Sequence, residues 1–537
     1  MKKPLNFLLL IILILGLVSV SGCADKTEKT GVYMASDELV IAMGTHGGEP
    51  ESGFDPITGW GYNHEPLVQS TLFKRGSNAV VINDLATDHT ISEDGMIWTV
   101  TIRDDAKFHD GMPLKAGDVA FTFNKAAASA GRVDLTMLEK ATAIGDNTVE
   151  FTLRNPQSTF INKLIGVGIV PEYAYTGSYG QNPMGSGPYI FKQWNKGQQV
   201  IFEANPDYYG QEPYFKKLTI VFMEEDTAFA AAKAGRVNIA EIPHTYANQV
   251  VNGKRIVSLE TIEACGITLP TGPNTGEKTE DGYPVGNNVT SDIAIRKALN
   301  IGIDRLSLVN GPLNGHGAVE FTGVDKLPWG NKEAIFEDGN ITEAKRILRD
   351  AGWIDTDGDG IVERNGVKAE FTLLYASSAQ DRQVLAVAVS EQARELGIKI
   401  KVEGASWDKI QNMAISTPVV FKYGDIDPTD VYLRYHSESY DPSNWNNMIR
   451  YNNPVVDAYL QNAMTSPDEE TAVEYWQLAA WDGETGYSEK GDAPWLWMAS
   501  INYLYIVDEN LDIGTPVIQP HGGNIFGNIL EWKRTEN

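Results

Sequence analysis

Residues 371–402 constrain the fold of this chain more than any other stretch. Phe371-Thr372-Leu373-Leu374-Tyr375 reads as one strand and the alternation of Ile398, Ile400 and Val402 as a second. Between them, from about Ala379 to Leu396, Leu385, Val389 and Leu396 recur on one face of an amphipathic helix that Gly397 stops. A strand, a crossover helix and a strand within some thirty residues form a βαβ-sized unit, so parallel pairing and an α/β class are expected. Leu39 to Met43, Trp98 to Ile102, and the alternating Leu218, Ile220 and Phe222 add further strands. A helix is predicted from Ile293 to about Leu308 after Thr290-Ser291-Asp292, and another from Thr342 to Arg349, capped by Thr342. At 537 residues the chain exceeds what one core holds, so two or more lobes are expected. No fixed-period repeat and no long Pro- or Ser-rich linker separates them, which predicts closely connected lobes joined by more than one crossing strand. The Gly-, Pro-, Asn- and Thr-dense stretch 272–288 reads as a long loop beside a lobe boundary.

The 71 acidic residues outnumber the 44 Lys and Arg, for a net charge of −27. That balance argues against nucleic acid as a partner and against a broad basic membrane-binding face. The N-terminus reads differently. Lys2 and Lys3 precede an apolar run from Leu5 to Val20, broken only by Asn6, and then Val20-Ser21-Gly22-Cys23. The run is shorter than the roughly 20 residues a membrane-spanning helix needs and fits a secretory signal. The tetrapeptide resembles the lipobox of prokaryotic lipoproteins. That resemblance implies a signal peptide over 1–22, cleavage before Cys23 and a diacylglycerol on its thiol. Two acyl chains anchor a protein durably to a cell membrane on its extracytoplasmic side. Residues 23–36 would then be the lipidated Cys23 followed by a flexible tether from Ala24 to Ser36. Cys265 is then left without an intrachain partner, so no disulfide framework is expected.

Signatures of catalysis are missing from the sequence: no phosphate loop with its lysine, no nucleophile elbow, no paired histidines at metal-ligand spacing. A secreted hydrolase would need distant residues to converge and stands as the alternative from a different class. One metal motif stands out. Asp355, Asp357 and Asp359 occupy positions one, three and five of a calcium loop, with Gly360 at six, the Ile361 carbonyl at seven and Glu363 at nine. Position twelve, where a bidentate Glu belongs, is Gly366. The segment is either a structural Ca²⁺ site or an Asp-Gly surface turn. No other cofactor is expected.

Several separated segments carry a family resemblance. They are Ile102-Arg103-Asp104-Asp105-Ala106-Lys107-Phe108-His109-Asp110-Gly111 with Leu114 to Val119, then Gly185-Ser186-Gly187-Pro188-Tyr189 and Asn205-Pro206-Asp207-Tyr208-Tyr209. Ala234 to Ile239, Ile295 to Arg305, Thr342 to Gly352 and the unit at 371–402 follow in the same order. Together they resemble extracellular solute-binding protein family 5, the peptide- and nickel-binding receptors of ABC importers. The resemblance implies a two-lobed, periplasmic-binding-protein-like Venus flytrap with an extra subdomain in lobe one, monomeric and docking on a membrane permease. It implies lobe one at 37–290, lobe two at 291–498 and a return to lobe one at 499–537, with crossings near 285–292 and 498–510.

The ligand would lie between the lobes. Asp427, with Asp425 as runner-up, falls where an acidic residue of the family holds a peptide's amino terminus. Arg434 is expected to clamp a carboxylate, with Tyr435, Trp445 and Asn446 as walls and hydrogen-bonding partners. On lobe one, Trp60, Tyr62, Asn63 and His64 fall where an early loop reaches the cleft. A short peptide is the first expectation. A nickel-chelate, with His436 completing the metal shell, is the second.

Overall fold

A strand that is apolar on both faces beyond its first residue belongs in the middle of a sheet covered on both sides. In the computed structural model, which describes residues 36–535 apart from 45–47, 52, 77–79 and 130, strand Glu38–Met43 lies there. It runs parallel to Lys217–Phe222 on one side and to Ile239–Ile242 on the other. Leu39, Ile41 and Met43 enter one apolar cluster, while Val40 and Ala42 enter a second, as the two-residue strand period requires. The full sheet has seven strands in the order 254–259, 503–508, 239–242, 38–43, 217–222, 199–204 and 189–195. The expected signal segment, the lipidation site expected at Cys23 and the expected tether up to residue 35 lie outside the described residues. Among the described residues no helix is long and apolar enough to cross a membrane.

An additional subdomain is inserted in this lobe. Strands Ala86–Ile91, Ile97–Ile102, Thr148–Leu153 and Leu138–Ile144 form an antiparallel sheet in that order. Helix Ala116–Ala127 and the short helix Phe160–Ile165 pack into the same core, around Trp98, Val100, Phe123 and Phe151. Asp118 accepts a hydrogen bond from the Lys115 N–H at 3.0 Å and so closes the first turn of the longer helix.

Lobe two holds the predicted βαβ unit. Strands Glu370–Ala376 and Lys399–Ala405 pair in parallel, and helix Gln380–Glu395 crosses between them with Leu385 and Val389 fully buried. A bridge between Leu374 and Val419 links the pair to a four-stranded sheet ordered 317–319, 495–501, 264–268 and 420–423. Gly266 is needed in that sheet, because a Cβ there would come within 2.7 Å of the Trp497 ring. Beside it Cys265 is completely buried, and burial pushes its thiol up to about 12.

Two helices differ from expectation. The stretch 293–308 is two helices, Ile293–Gly302 and Arg305–Asn310, capped by Asp292 and Asp304. The break places Arg305, fully buried, where it donates to Asn300 O at 2.8 Å, Trp497 O at 2.7 Å and Asp338 at 3.0 Å. The helix Ile341–Asp350 is capped by Asn340, not Thr342.

Sheet membership locates the crossings. Strand Lys254–Leu259 belongs to the seven-stranded sheet and Ala264–Thr268 to the four-stranded one, so the chain passes between lobes at 260–263. It returns at Asn502, between Trp495–Ile501 and Tyr503–Asp508. The first crossing expected at 285–292, and with it the division at 290, moves accordingly. The Gly- and Pro-rich stretch is a loop within lobe two: Gly286 N–H donates to Ile415 O and the Asn287 amide to Ser416 O. The tail after the second crossing closes lobe one, with Leu511, Ile525, Phe526 and Trp532 in its core.

Candidate ligand site between the lobes

The loop Gly424–Pro428 leaves lobe-two strand Val420–Tyr423 and faces lobe one. Asp427 is 5% exposed. One of its oxygens accepts from the Thr429 N–H at 2.9 Å and the other from the Lys163 ammonium at 2.7 Å, reaching across from subdomain helix Phe160–Ile165. Burial pushes the Lys163 pKa down, but the charge and hydrogen bond of Asp427 together with the charges of Asp425 and Asp134 outweigh it, and the net shift is upward. Asp425 accepts from the Asp427 N–H at 2.9 Å and from the Tyr62 hydroxyl at 3.3 Å. Burial, with the neighbouring charges of Asp427 and Asp430, pushes the Asp425 carboxyl up to about 6. The field of Asp425, followed by burial, holds the Tyr62 hydroxyl well above its ordinary range.

These residues line a small cavity of about 100 Å³ that is partly open to solvent. Its walls include Tyr62, Asn63 and His64 from lobe one, Arg75 and Asn162 from the subdomain, and Gln519 from the tail. Arg75 donates to the Asn162 side chain and, at 3.3 Å, to Ile426 O. His64 is held neutral, because burial and then Arg132 lower its pKa to about 4. Next to the cavity, the subdomain meets lobe two again: the Thr159 and Thr429 hydroxyls are 2.9 Å apart, and Ser158 donates to Ala463 O at 2.8 Å. The lobes are therefore in direct contact around the site.

A second, larger interlobe cavity of about 510 Å³, also partly open to solvent, borders the crossing strands. Its floor is an ionic network. Glu263, at the first crossing, is fully buried and accepts from Lys422 at 2.5 Å, from the Tyr503 hydroxyl at 2.6 Å and from His521 Nδ1 at 2.6 Å. A carboxylate only accepts, so Nδ1 carries the proton. Lys422 also pairs with Asp381 at 2.6 Å. Burial opposes the charged form of Lys422, but Asp381 and Glu263 outweigh it and raise its pKa. Residues from both crossings, lobe two and the tail thus meet on one carboxylate.

Of the residues singled out in the sequence, Asp425, Asp427, Tyr62, Asn63 and His64 converge on the first cavity. The others lie elsewhere. Arg434 is 2% exposed, pairs with Asp430 and is sandwiched by the Tyr423 and Trp497 rings at 4.2 and 5.1 Å, so it is a core cation and not a clamp. Tyr435 is buried, stacked on Tyr487 at 3.9 Å. His436 stacks on Tyr432 at 4.3 Å, and its Nδ1 accepts the Glu438 N–H at 3.2 Å, which removes that nitrogen from any metal shell. Trp60 packs edge-on to Phe54 at 4.7 Å. Asn446 pairs its backbone with Asp441, and Trp445 packs against Phe421 at 5.1 Å. Lys163, Arg75, Glu263, Lys422 and Arg382 escaped the sequence reading, since their partners are hundreds of residues away or lie on other elements.

The loop 355–363 is remote in character from both cavities, being an exposed turn. Ligand oxygens of Asp355, Asp357 and Glu363 lie within 4.8 Å of one another. Asp357 and Asp359 share the Lys368 ammonium, and Asp355 accepts from the Gly358 and Gly360 N–H groups. A calcium ion here would compete with that ammonium.

Comparison with known proteins agrees with this architecture. Residues 80–468 match the family model described as bacterial extracellular solute-binding proteins, family 5 middle. Protein XP55 of Streptomyces lividans is 30% identical over 498 residues, 89% of this chain and 86% of that one. The oligopeptide-binding protein AppA of Bacillus subtilis, solved with a nonapeptide, has a TM-score of 0.67 at 26% identity, covering 93% of this chain and 99% of its own. NikZ of Campylobacter jejuni, solved with Ni(L-His), shares the fold with a TM-score of 0.73 at 23% identity, covering 93% and 100%.

Proposed function

The chain belongs to family 5 of the bacterial extracellular solute-binding proteins, non-catalytic receptors of ABC transporters, and from that premise we propose that it captures short peptides between its lobes. In this reading it is the lipid-anchored, monomeric substrate-binding component of an importer and hands its cargo to the membrane permease. Cys23 carries the lipid and residues 24–36 the tether. One observation carries the peptide reading: both interlobe cavities are walled by ionised groups of opposite sign, Asp425 with Arg75 in one and Asp381 with Lys422 and Arg382 in the other. A zwitterionic chain with an ammonium at one end and a carboxylate at the other suits such walls. The similarity to AppA, whose structure holds a nonapeptide, points the same way.

The nickel-chelate alternative asked His436 to complete a metal shell. That imidazole is buried 7% exposed against Tyr432 and accepts a backbone N–H, so the geometry gives this alternative no support at the position it needs. Capture itself requires no catalytic residue. Ligand that touches both lobes stabilises the closed population by as much as it binds that state better.

Native mass spectrometry of the full-length chain, as isolated and after unfolding and refolding, tests the proposal. Peptides that co-purify and leave on unfolding are the expected result. A nickel-bearing small molecule in their place overturns it.

A further inference from the structure

The charges that line the cavity beside the crossing strands sort by lobe. From lobe one come Glu224, Glu225 and Asp226, at the start of helix Glu225–Lys233, and Glu241 from strand Ile239–Ile242. Among the described residues that wall has no lysine or arginine. Burial holds its His244 neutral, with a pKa of about 4, and His521 from the tail is engaged with Glu263. Both fixed cations, Lys422 and Arg382, stand on lobe two. Lys422 is held between Glu263 at 2.5 Å and Asp381 at 2.6 Å. Glu224 and Asp226 are exposed and form no ion pair among the described residues. An acidic first turn suits a helix dipole, but the dipole asks nothing of Glu241, 2% exposed on the strand that follows.

The lining also holds polar atoms that nothing in the protein satisfies. Asn502 Oδ1 and His244 Nε2 are buried there without a hydrogen-bond partner, as are Nε and Nη1 of Arg382, itself 8% exposed. A buried polar group left unmatched bears the full loss of its hydration, so these atoms mark a space that a guest completes. Asn502 Oδ1, at the second crossing, can only accept and calls for a donor. Closure sharpens the charge requirement. As the lobes approach, water leaves and the four lobe-one carboxylates act through a poorer dielectric. A neutral or acidic guest leaves that wall uncompensated, whereas a cation neutralises it and gains most in the closed form. A cavity of about 510 Å³ has room for a side chain as long as lysine or arginine.

We infer that Glu224, Glu225, Asp226 and Glu241 form a specificity wall for basic side chains, so that among peptides the receptor prefers those carrying lysine or arginine. The inference rests on the peptide reading and deepens it by naming a class of cargo. The basic side chain supplies the contact to lobe one that closure needs.

The test offers the full-length chain an equimolar mixture of tri- to nonapeptides built from Ala, Ser and Gly, with one position in turn Lys, Met or Glu. Retained peptides are released by denaturation and counted by mass spectrometry. Lys peptides should be retained over Met peptides by about fivefold or more, the worth of one ion pair at a partly exposed site, and Glu peptides least. E224Q/D226N should cut the Lys-to-Met ratio by more than half. E280Q/D281N makes the same change of charge on an exposed loop that lines neither cavity, and should leave the ratio intact, which separates the wall from the field of the whole acidic chain. A wild-type ratio near one, a ratio that E224Q/D226N leaves unchanged, or one that E280Q/D281N lowers as much, overturns the inference while sparing the peptide reading. Retention of no peptide from any set overturns both. E224Q and D226N singly, each expected to lower the ratio in part, carry the test should the double variant not fold.

Discussion

Replacing Lys163 by methionine should open the receptor before it unfolds it. The Lys163–Asp427 pair spans 2.7 Å, with 4% and 6% of the two side chains exposed, and joins the lobe-one subdomain to lobe two. Removing one partner of a buried pair typically costs about 3–5 kcal/mol, because the other charge stays in a medium that solvates it poorly. Within a single core that cost is felt as lost folding stability. Here the stranded Asp427 has another exit, since parting the lobes returns it to water while each lobe keeps its own core. A penalty of about 3 kcal/mol on the closed form is more than a hundredfold in the closed-to-open ratio. Small-angle scattering of K163M should therefore report a larger radius of gyration than the wild type, with a nearly unchanged melting temperature. D427N should do the same, and K163M/D427N should recover closure, because neither charge is then stranded. Identical scattering for wild type and K163M would refute the argument. So would two single effects that simply add in the double variant.

Three other outcomes are expected. The Asp425 carboxyl is raised to about 6, so it holds its proton to higher pH in the folded protein than in the unfolded chain; its contribution to stability is present below about pH 4 and is lost as pH rises through about 6. Melting curves of D425N should be flatter than the wild type between pH 4 and 7, and equal slopes would count against this. Thiol counting tests the anchor: Cys265 is buried with its pKa pushed up to about 12, so the native chain should show no reactive Cys265. In guanidinium the lipidated chain should titrate one thiol, and two would mean that Cys23 is free. At the loop 355–363, K368M should bind calcium more tightly than the wild type by calorimetry, since the ammonium shared by Asp357 and Asp359 is gone. No heat from either protein would make the segment a plain turn.

Patterns that repeat over a few residues were legible in the sequence, and partnerships across the chain were not. The strand–helix–strand unit at 371–402 was readable because alternation and helical spacing are local, and the observed strands and helix lie within a few residues of the expected ones. The first crossing was misplaced because Gly and Pro density marks any long loop. The true passage, Glu260-Thr261-Ile262-Glu263, is short and compositionally ordinary. Asp425 and Asp427 were found through a resemblance, but their occupation by Tyr62 and Lys163 was invisible, with 363 and 264 residues between partners. Arg434 drew attention for its aromatic company. That company belongs to the core, where Tyr423, Tyr435 and Trp497 enclose it. Aromatic neighbours in sequence do not say whether a cation faces a cleft or a core, whereas Arg382 gained its ring partners from residues 407 and 421.

The position of strand Tyr503–Asp508 imposes an order on biogenesis. It lies between Ile239–Ile242 and Lys254–Leu259, pairing antiparallel with both. Lobe two, by contrast, is assembled from one continuous stretch, 264–501. As the chain is synthesised lobe two can finish first, while lobe one waits with a gap in its sheet until almost the last thirty-five residues have emerged. During that interval two strands present unpaired backbone edges, the feature that templates aggregation. A stop codon before residue 503 would thus remove a small part of the chain's length yet leave the larger lobe permanently unfinished, and such a product should be degraded or aggregate instead of persisting as a half-receptor.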